Sequence, residues 1–296
     1  MSEKPTYEPR QTPGQITKFQ GIINTVHPYH MPQGALVQAD NVLVDKTGGI
    51  ERCPGYHKVV TGTSVTASYT TLDQKMMFLV DSGVLYAFDG NTAQALITGL
   101  TEAPVHWCEE SGEKVFMVGG GTSAIIDSRQ AVTLMPTITY PLGAIAFHAA
   151  QFTLAIWQDS QTCVVMSDPY DFTKFDNAEA SFIVPDHIVG MQDVGGSLVL
   201  AGANALWVFT PDEILIRLTD YGSVPGRPIA VSGGVAYIWT VRGLCRFPEF
   251  ANLTQDKVSV PPGSSASVNE LSYNGSDYIV VMNDGEGESH NAMFEI

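Results

Sequence analysis

From residue 75 to the end, the chain repeats one pattern: a short apolar run, a small turn, then a second apolar run. It first appears as Lys75 to Val80, the turn Asp81-Ser82-Gly83, and Val84 to Gly90. It returns as Lys114 to Val118 with Thr122 to Asp127, Gln151 to Trp157 with Gln161 to Ser167, and Ser197 to Ala201 with Ala205 to Thr210. The last two are Val235 to Thr240 with Leu244 to Phe247, and Asp277 to Met282 with Asn291 to Ile296. Two β-prone runs joined by a short polar or glycine-bearing turn read as a hairpin. The turns fall near residues 82, 120, 159, 203, 242 and 286, a beat of about 38 to 44 residues. That is the period of a four-stranded propeller blade.

Shorter β-like pieces complete the blades. Ala144 to Phe147, Ile188 to Met191 and Ile229 to Val231 precede hairpins, while Gln94 to Ile97, Ala131 to Met135 and Ile214 to Leu218 follow them. Helical periodicity is almost absent, and β-branched, aromatic and glycine residues oppose it. A β-helix needs a much shorter period, and two sandwiches do not explain an even beat without a linker. The expected fold is therefore all-β: a propeller of about six four-stranded blades, or seven if residues 22–65 make their own. Residues 1–20 read as an extended polar arm and residues 21–296 as a single propeller domain. Within that domain residues 35–60 form one more hairpin, turning at Asp45 to Gly49. An open ring would leave an unpaired strand edge, so closure by N- and C-terminal strands is expected, with the strand-like Asn291 to Ile296 as the C-terminal member.

Charge narrows the function. The chain carries 31 Asp and Glu against 15 Lys and Arg, a formal net charge of −16. Sequence-specific nucleic-acid binding rests on many Lys and Arg contacts to phosphate, so it is not expected. Such a surface aids solubility, and also suits a wall that DNA must pass without sticking. The four cysteines, Cys53, Cys108, Cys163 and Cys245, form no close pair of the kind zinc and iron–sulfur sites use. They read as reduced thiols in a cytoplasmic compartment. Neither a signal peptide nor a membrane-spanning run is expected.

Chemistry-bearing residues are present without a catalytic pattern. His27 and His30 flank a proline in a loop-like stretch, which does not preset metal ligands. His106 and Cys108 have the types for a nucleophilic dyad, but one sequence cannot supply the third, orienting group. Gly119-Gly120-Gly121 lacks the lysine of a phosphate loop and reads as a turn. Asp81, Asp168 and Asp171 do not follow calcium-loop spacing. Asn252 to Thr254 and Asn274 to Ser276 match glycosylation acceptors by chance. Trp107, Trp157, Trp207 and Trp239 fall in successive repeats, as sugar platforms or as blade packing. The expectation is no catalytic, cofactor-binding or metal site, no cofactor, and no enzymatic activity. A lectin-like binding propeller and a propeller hydrolase are the competing readings, since the fold hosts both.

Ala39-Asp40-Asn41-Val42, followed by Gly48-Gly49-Ile50-Glu51-Arg52-Cys53-Pro54-Gly55-Tyr56, resembles the opening of tail proteins of tailed bacteriophages. It is similar to the tail nozzle (tail tubular protein B) and the packaged-DNA stabilisation proteins of short-tailed phages, with Cys53 where a second arginine is usual. Phe19 to Ile22 and Met31 to Leu36 fit that opening. Val164 to Phe172, Leu198 to Phe209 and Gly222 to Gly226 are similar to later phrases of the same family, in order. The chain is shorter than typical nozzle proteins, which implies a bare propeller core. The resemblance implies a virion structural protein of a tail or neck, made in the host bacterial cytoplasm. It also implies a homo-oligomeric ring, sixfold or threefold, around the DNA channel, contacting other tail or neck proteins. Genomic DNA would pass without specific binding, and no membrane anchor is implied.

Overall fold

The computed structural model describes residues 21–22, 30, 32, 35–36, 42–44, 50–52 and 65–296, the last with breaks at 74, 102–104, 111–112, 129, 136–140, 176–179, 256–262, 264, 274–275 and 285–288. The chain divides into two compact units, residues 1–55 with 256–259, and residues 56–255 with 260–296. In the first unit, β1 (Gly21–Ile22) pairs in parallel with β2 (Ala35–Leu36). There β3 (Val42–Val44) pairs antiparallel with β4 (Ile50–Arg52), within the hairpin read at residues 35–60. The expected arm, residues 1–20, lies outside the described residues.

The second unit is a six-bladed β-propeller, with six four-stranded sheets and no α-helix among the described residues. Blade 1 holds β5 (Val65–Thr70), β6 (Met77–Asp81), β7 (Val84–Phe88) and β8 (Ala93–Thr98). Blade 2 holds β9 (Val105–Glu110), β10 (Lys114–Gly119), β11 (Thr122–Asp127) and β12 (Val132–Leu134). Blade 3 holds β13 (Leu142–His148), β14 (Gln151–Gln158), β15 (Gln161–Met166) and β16 (Ser181–Val184). Blade 4 holds β17 (Ile188–Val194), β18 (Ser197–Gly202), β19 (Leu206–Phe209) and β20 (Leu215–Arg217). Next in the chain comes β21 (Gly226–Arg227), then blade 5 with β22 (Ile229–Ser232), β23 (Val235–Thr240), β24 (Gly243–Phe247) and β25 (Ala251–Asn252). Blade 6 joins β21 to β26 (Ser265–Tyr273), β27 (Ser276–Asp284) and β28 (Ser289–Glu295).

The apolar runs are continuous because each middle strand is buried on both faces. Successive side chains of a strand point to opposite faces. On β10, Val115 and Met117 enter the core shared with blade 1, while Phe116 and Val118 enter the core shared with blade 3. On β18, Leu198 and Leu200 face blade 3, while Val199 and Ala201 face blade 5. On β23, Ala236 and Ile238 face blade 4, while Tyr237 and Trp239 face blade 6. Five core clusters thus fill the five successive seams from blade 1 to blade 6.

Blade 6 departs from the expected closure. The C-terminal strand β28 does lie in the last sheet, but the fourth strand is not N-terminal. It is β21, which pairs in parallel with β26, Gly226 opposite Ala266 and Arg227 opposite Ser267. Since β26 is the innermost strand of its antiparallel set, β21 lies on the channel side. The connection from blade 4 to blade 5 therefore detours along blade 6 before β22 begins.

Candidate functional site

Each blade starts at the channel and alternates strand direction outward, so turns between first and second strands and between third and fourth strands share one face. We call this the lower face. The upper face carries the turns between second and third strands and the connections between blades.

At the lower face, polar side chains near the ends of the inner strands tie neighbouring blades. Tyr69 of β5 donates its hydroxyl to Glu109 Oε2 of β9 at 3.0 Å, and the Leu72 amide donates to the same oxygen at 2.8 Å. His148 Nδ1 of β13 lies 2.5 Å from Asp193 Oδ2 of β17. Ser232 of β22 donates its hydroxyl to Glu270 Oε1 of β26 at 2.6 Å. The same strand end thus ties blade 1 to 2, blade 3 to 4 and blade 5 to 6. Glu109 is buried, and its second oxygen has no partner among the described residues. Around these ties the lower face exposes Asp73, Asp89, Asp212, Glu213 and Glu249 with Leu72, Tyr170 and Ile214.

At the upper face the organising residue is Asp186, 2% exposed. Its carboxylate accepts from the amides of His187, Asn204 and Ala205, from Asn204 Nδ2 and from Trp207 Nε1. It gathers the entrance to blade 4 and the β18–β19 turn around one buried charge. The composition of the sequence offers no pattern for this, because an isolated aspartate looks like any turn residue.

The channel holds a third cluster. Arg227 reaches from β21 to the Ser68 carbonyl of β5, donating from Nη1 at 3.2 Å. Its guanidinium carbon sits 5.6 Å from the centre of the Tyr69 ring. Burial lowers the pKa of His106 on β9, and the positive charge of Arg227 lowers it further. Burial also lowers the Arg227 pKa. Burial, and then the Glu109 charge, push the Tyr69 hydroxyl well above its usual range. A side chain that leaves blade 6 and meets the inner strands of blades 1 and 2 must lie in the channel, and Arg227 retains solvent exposure there.

The candidates read from sequence take other roles. His106 and Cys108 share one side of β9, but Cys108 is buried against the blade 3 core and its thiol pKa is raised by that burial. Such a thiol is protonated and unreactive. Trp157 and Trp239 hold matching places, next to last on the second strands β14 and β23, while Trp107 and Trp207 lie on the first strand β9 and the third strand β19. Trp107 stacks on Tyr69 and Phe78, and Trp157 donates to the Ile188 carbonyl at 2.8 Å while stacking on His187. Gly119 to Gly121 form the β10–β11 turn, all with positive φ. Asp171 accepts from Thr173 and pairs with Lys174, and Asp81 accepts from Ser82. Asn252 Oδ1 accepts from the Thr254 amide and hydroxyl, so that glycosylation-like triplet builds a turn. His27, Asn274 and Cys53 lie outside the described residues; His30 lies within them. Among the described residues no three His, Cys, Asp or Glu side chains gather as metal ligands, and no helix is long and apolar enough to cross a membrane.

No protein-family model and no curated protein matches this sequence. Solved propellers do match the structure. The crystal structure of BBS1N in complex with ARL6DN aligns with a TM-score of 0.52 at 11% identity, over 86% of each chain. BamB from Moraxella catarrhalis aligns with a TM-score of 0.43 at 10% identity, over 76% of this chain and 77% of its own. At such identity the first likeness concerns the fold alone, and the second carries no argument.

Proposed function

We propose that this chain is a structural protein of a tailed-bacteriophage virion, placed in the tail or neck as one subunit of a homo-oligomeric ring around the DNA channel. The observation that carries the reading is the ordered series of nozzle-like phrases at residues 39–56, 164–172, 198–209 and 222–226. Three of them fall where blade geometry is decided. In the phrase at 164–172, buried Ser167 accepts the Phe152 amide through Oγ, and Phe172 enters the core between blades 2 and 3. The phrase at 198–209 is the β18–β19 hairpin. The phrase at 222–226 is the tight passage from blade 4 to β21, where a Cβ on Gly222 would lie 2.0 Å from the Ala203 carbonyl.

The polar arrangement supports a scaffold. The lower-face carboxylates and hydroxyls tie blade to blade, and the net charge of −16 suits a lumen wall that does not hold DNA. Because β21 lies inside the propeller channel, the DNA path in this proposal runs along the axis between subunits rather than through one propeller. Other tail or neck proteins are the partners, and the protein acts without a cofactor or a catalytic step. Mass spectrometry of purified phage particles, with copy number, tests this. A fixed multiple of three or six per particle is expected; absence from particles overturns the reading.

A further inference from the structure

Lys75, Lys114, Lys174, Arg242 and Arg246 each have a carboxylate partner. Arg227 has none among the described residues, and neither does Arg217, although the chain holds about twice as many acidic as basic residues. Arg227 touches a carbonyl and a phenol ring, its charge acts on the His106 imidazole, and among the described residues no carboxylate contributes to its electrostatics. Arg227 is exposed to solvent, so its free N–H donors are reachable by a dissolved anion. The backbone is built to put it there. Gly226 has φ +115°, and a Cβ on it would lie 2.3 Å from the Ala266 carbonyl, so only glycine allows β21 to press onto β26. That contact projects the next side chain across the channel. Only Nη1 of the guanidinium is engaged by a described partner. The remaining N–H donors form a fork whose geometry matches two oxygens of one carboxylate or phosphate.

We propose that the propeller channel contains an oxyanion site, with Arg227 as its charged fork, taking a carboxylate or phosphate group. The ligand group stands where the missing counter-charge belongs. Tyr69 holds the guanidinium from one side through its ring, while its hydroxyl is fixed on Glu109 and so is not offered to the anion. The site is independent of the virion role, since it needs only one folded propeller.

The His106 ring reports on the site directly, so the experiment is an NMR titration of the histidine ring protons of the full chain. Sodium phosphate and sodium succinate are added separately, with sodium chloride at equal ionic strength as the control. Occupation of the site raises the His106 pKa, because an anion offsets the Arg227 charge. The Arg227→Gln variant shows a raised His106 pKa without any anion and binds either probe about tenfold more weakly. Arg227→Lys keeps the charge but loses the fork, and also binds more weakly. It serves in place of the first variant if loss of the Ser68 contact prevents folding. Arg217→Gln, which removes a surface arginine lying over Trp207, leaves binding unchanged. A response to phosphate alone, or to succinate alone, assigns the oxyanion class. A His106 shift no larger than that given by chloride, or probe binding unaltered in both Arg227 variants, overturns the proposal.

Discussion

Ala149 and Ala150, the turn between β13 and β14, both have positive φ, 48° and 61°. The matching turns of blades 4 and 5 are Gly195-Gly196 and Gly233-Gly234, with the same signs. A two-residue hairpin turn of this hand needs left-handed backbone at both positions, which costs a residue with a Cβ about 1–2 kcal/mol each. Replacement of Ala150 by Gly relieves that strain at some cost in unfolded-state entropy. Ala150→Gly is therefore expected to stabilise the protein by about 0.5 kcal/mol, measured as a higher urea midpoint at unchanged slope. Asp186 gives the opposite case. Its buried carboxylate satisfies several N–H donors, and Asp186→Ala strands them. A loss of about 3 kcal/mol is expected in urea unfolding, and Asp186→Asn does not restore it, because an amide NH₂ would point at donors. Neither residue announces itself in the sequence. An alanine pair looks like strand, and the role of Asp186 exists only once the entrance to blade 4 meets the β18–β19 turn.

At the scale of elements, the six hairpins were legible because each combines two apolar runs with a short turn, and β6–β7, β10–β11, β14–β15, β18–β19, β23–β24 and β27–β28 lie where the runs place them. The inner strands were harder to read. β5, β9 and β26 mix polar and apolar residues, since they line the channel and carry the lower-face ties. Three inner strands also open with a bulge, near Val65, Leu142 and Ile188. In β13 the bulge brings Gly143 against blade 4, where a Cβ would lie 1.9 Å from the Ile188 carbonyl and 2.2 Å from Trp157 Nε1. Those are the two atoms of the hydrogen bond that joins blades 3 and 4 at this point. Gly143→Ala must displace the indole or the strand, and a loss of about 2–3 kcal/mol is expected, with altered Trp157 fluorescence in the native state. Wild-type stability in that variant would mean that the seam yields without cost.

For the whole molecule, buried thiols and tyrosines together shape the alkaline limit. Burial and then the neighbouring Glu109 raise the Tyr69 pKa, burial and the Cys245 contact push that of Tyr221 up to about 12, and burial raises that of Tyr237. A raised folded pKa means that the native state keeps a proton the unfolded chain gives up. The tyrosine contribution is then full below the ordinary tyrosine value of 10.0 and is lost as pH rises above it. For Tyr69 the slope approaches about 1.4 kcal/mol per pH unit. Tyr69→Phe is expected to flatten the decline of the urea midpoint between pH 10 and 11, even though its midpoint at pH 8 is lower for want of the Glu109 bond. An unchanged slope would show that Tyr69 ionises as freely in the native state as in the unfolded one. The resemblance to phage tail proteins was also legible in residues alone, as a functional reading that particle composition will test. By itself, the amino-acid order determined the all-β class, the forty-residue beat and the acidic charge, and narrowed the blades to six or seven, because alternation, turn chemistry and charge are local properties that survive without neighbours. Only the tertiary structure decided which strand completes blade 6, which polar groups become blade-to-blade ties, and that Arg227 stands in the channel without a counter-charge among the described residues. Those depend on contacts between residues far apart in the chain, where a two-residue strand such as β21 carries no pattern of its own and acquires meaning only from the β26 backbone beside it.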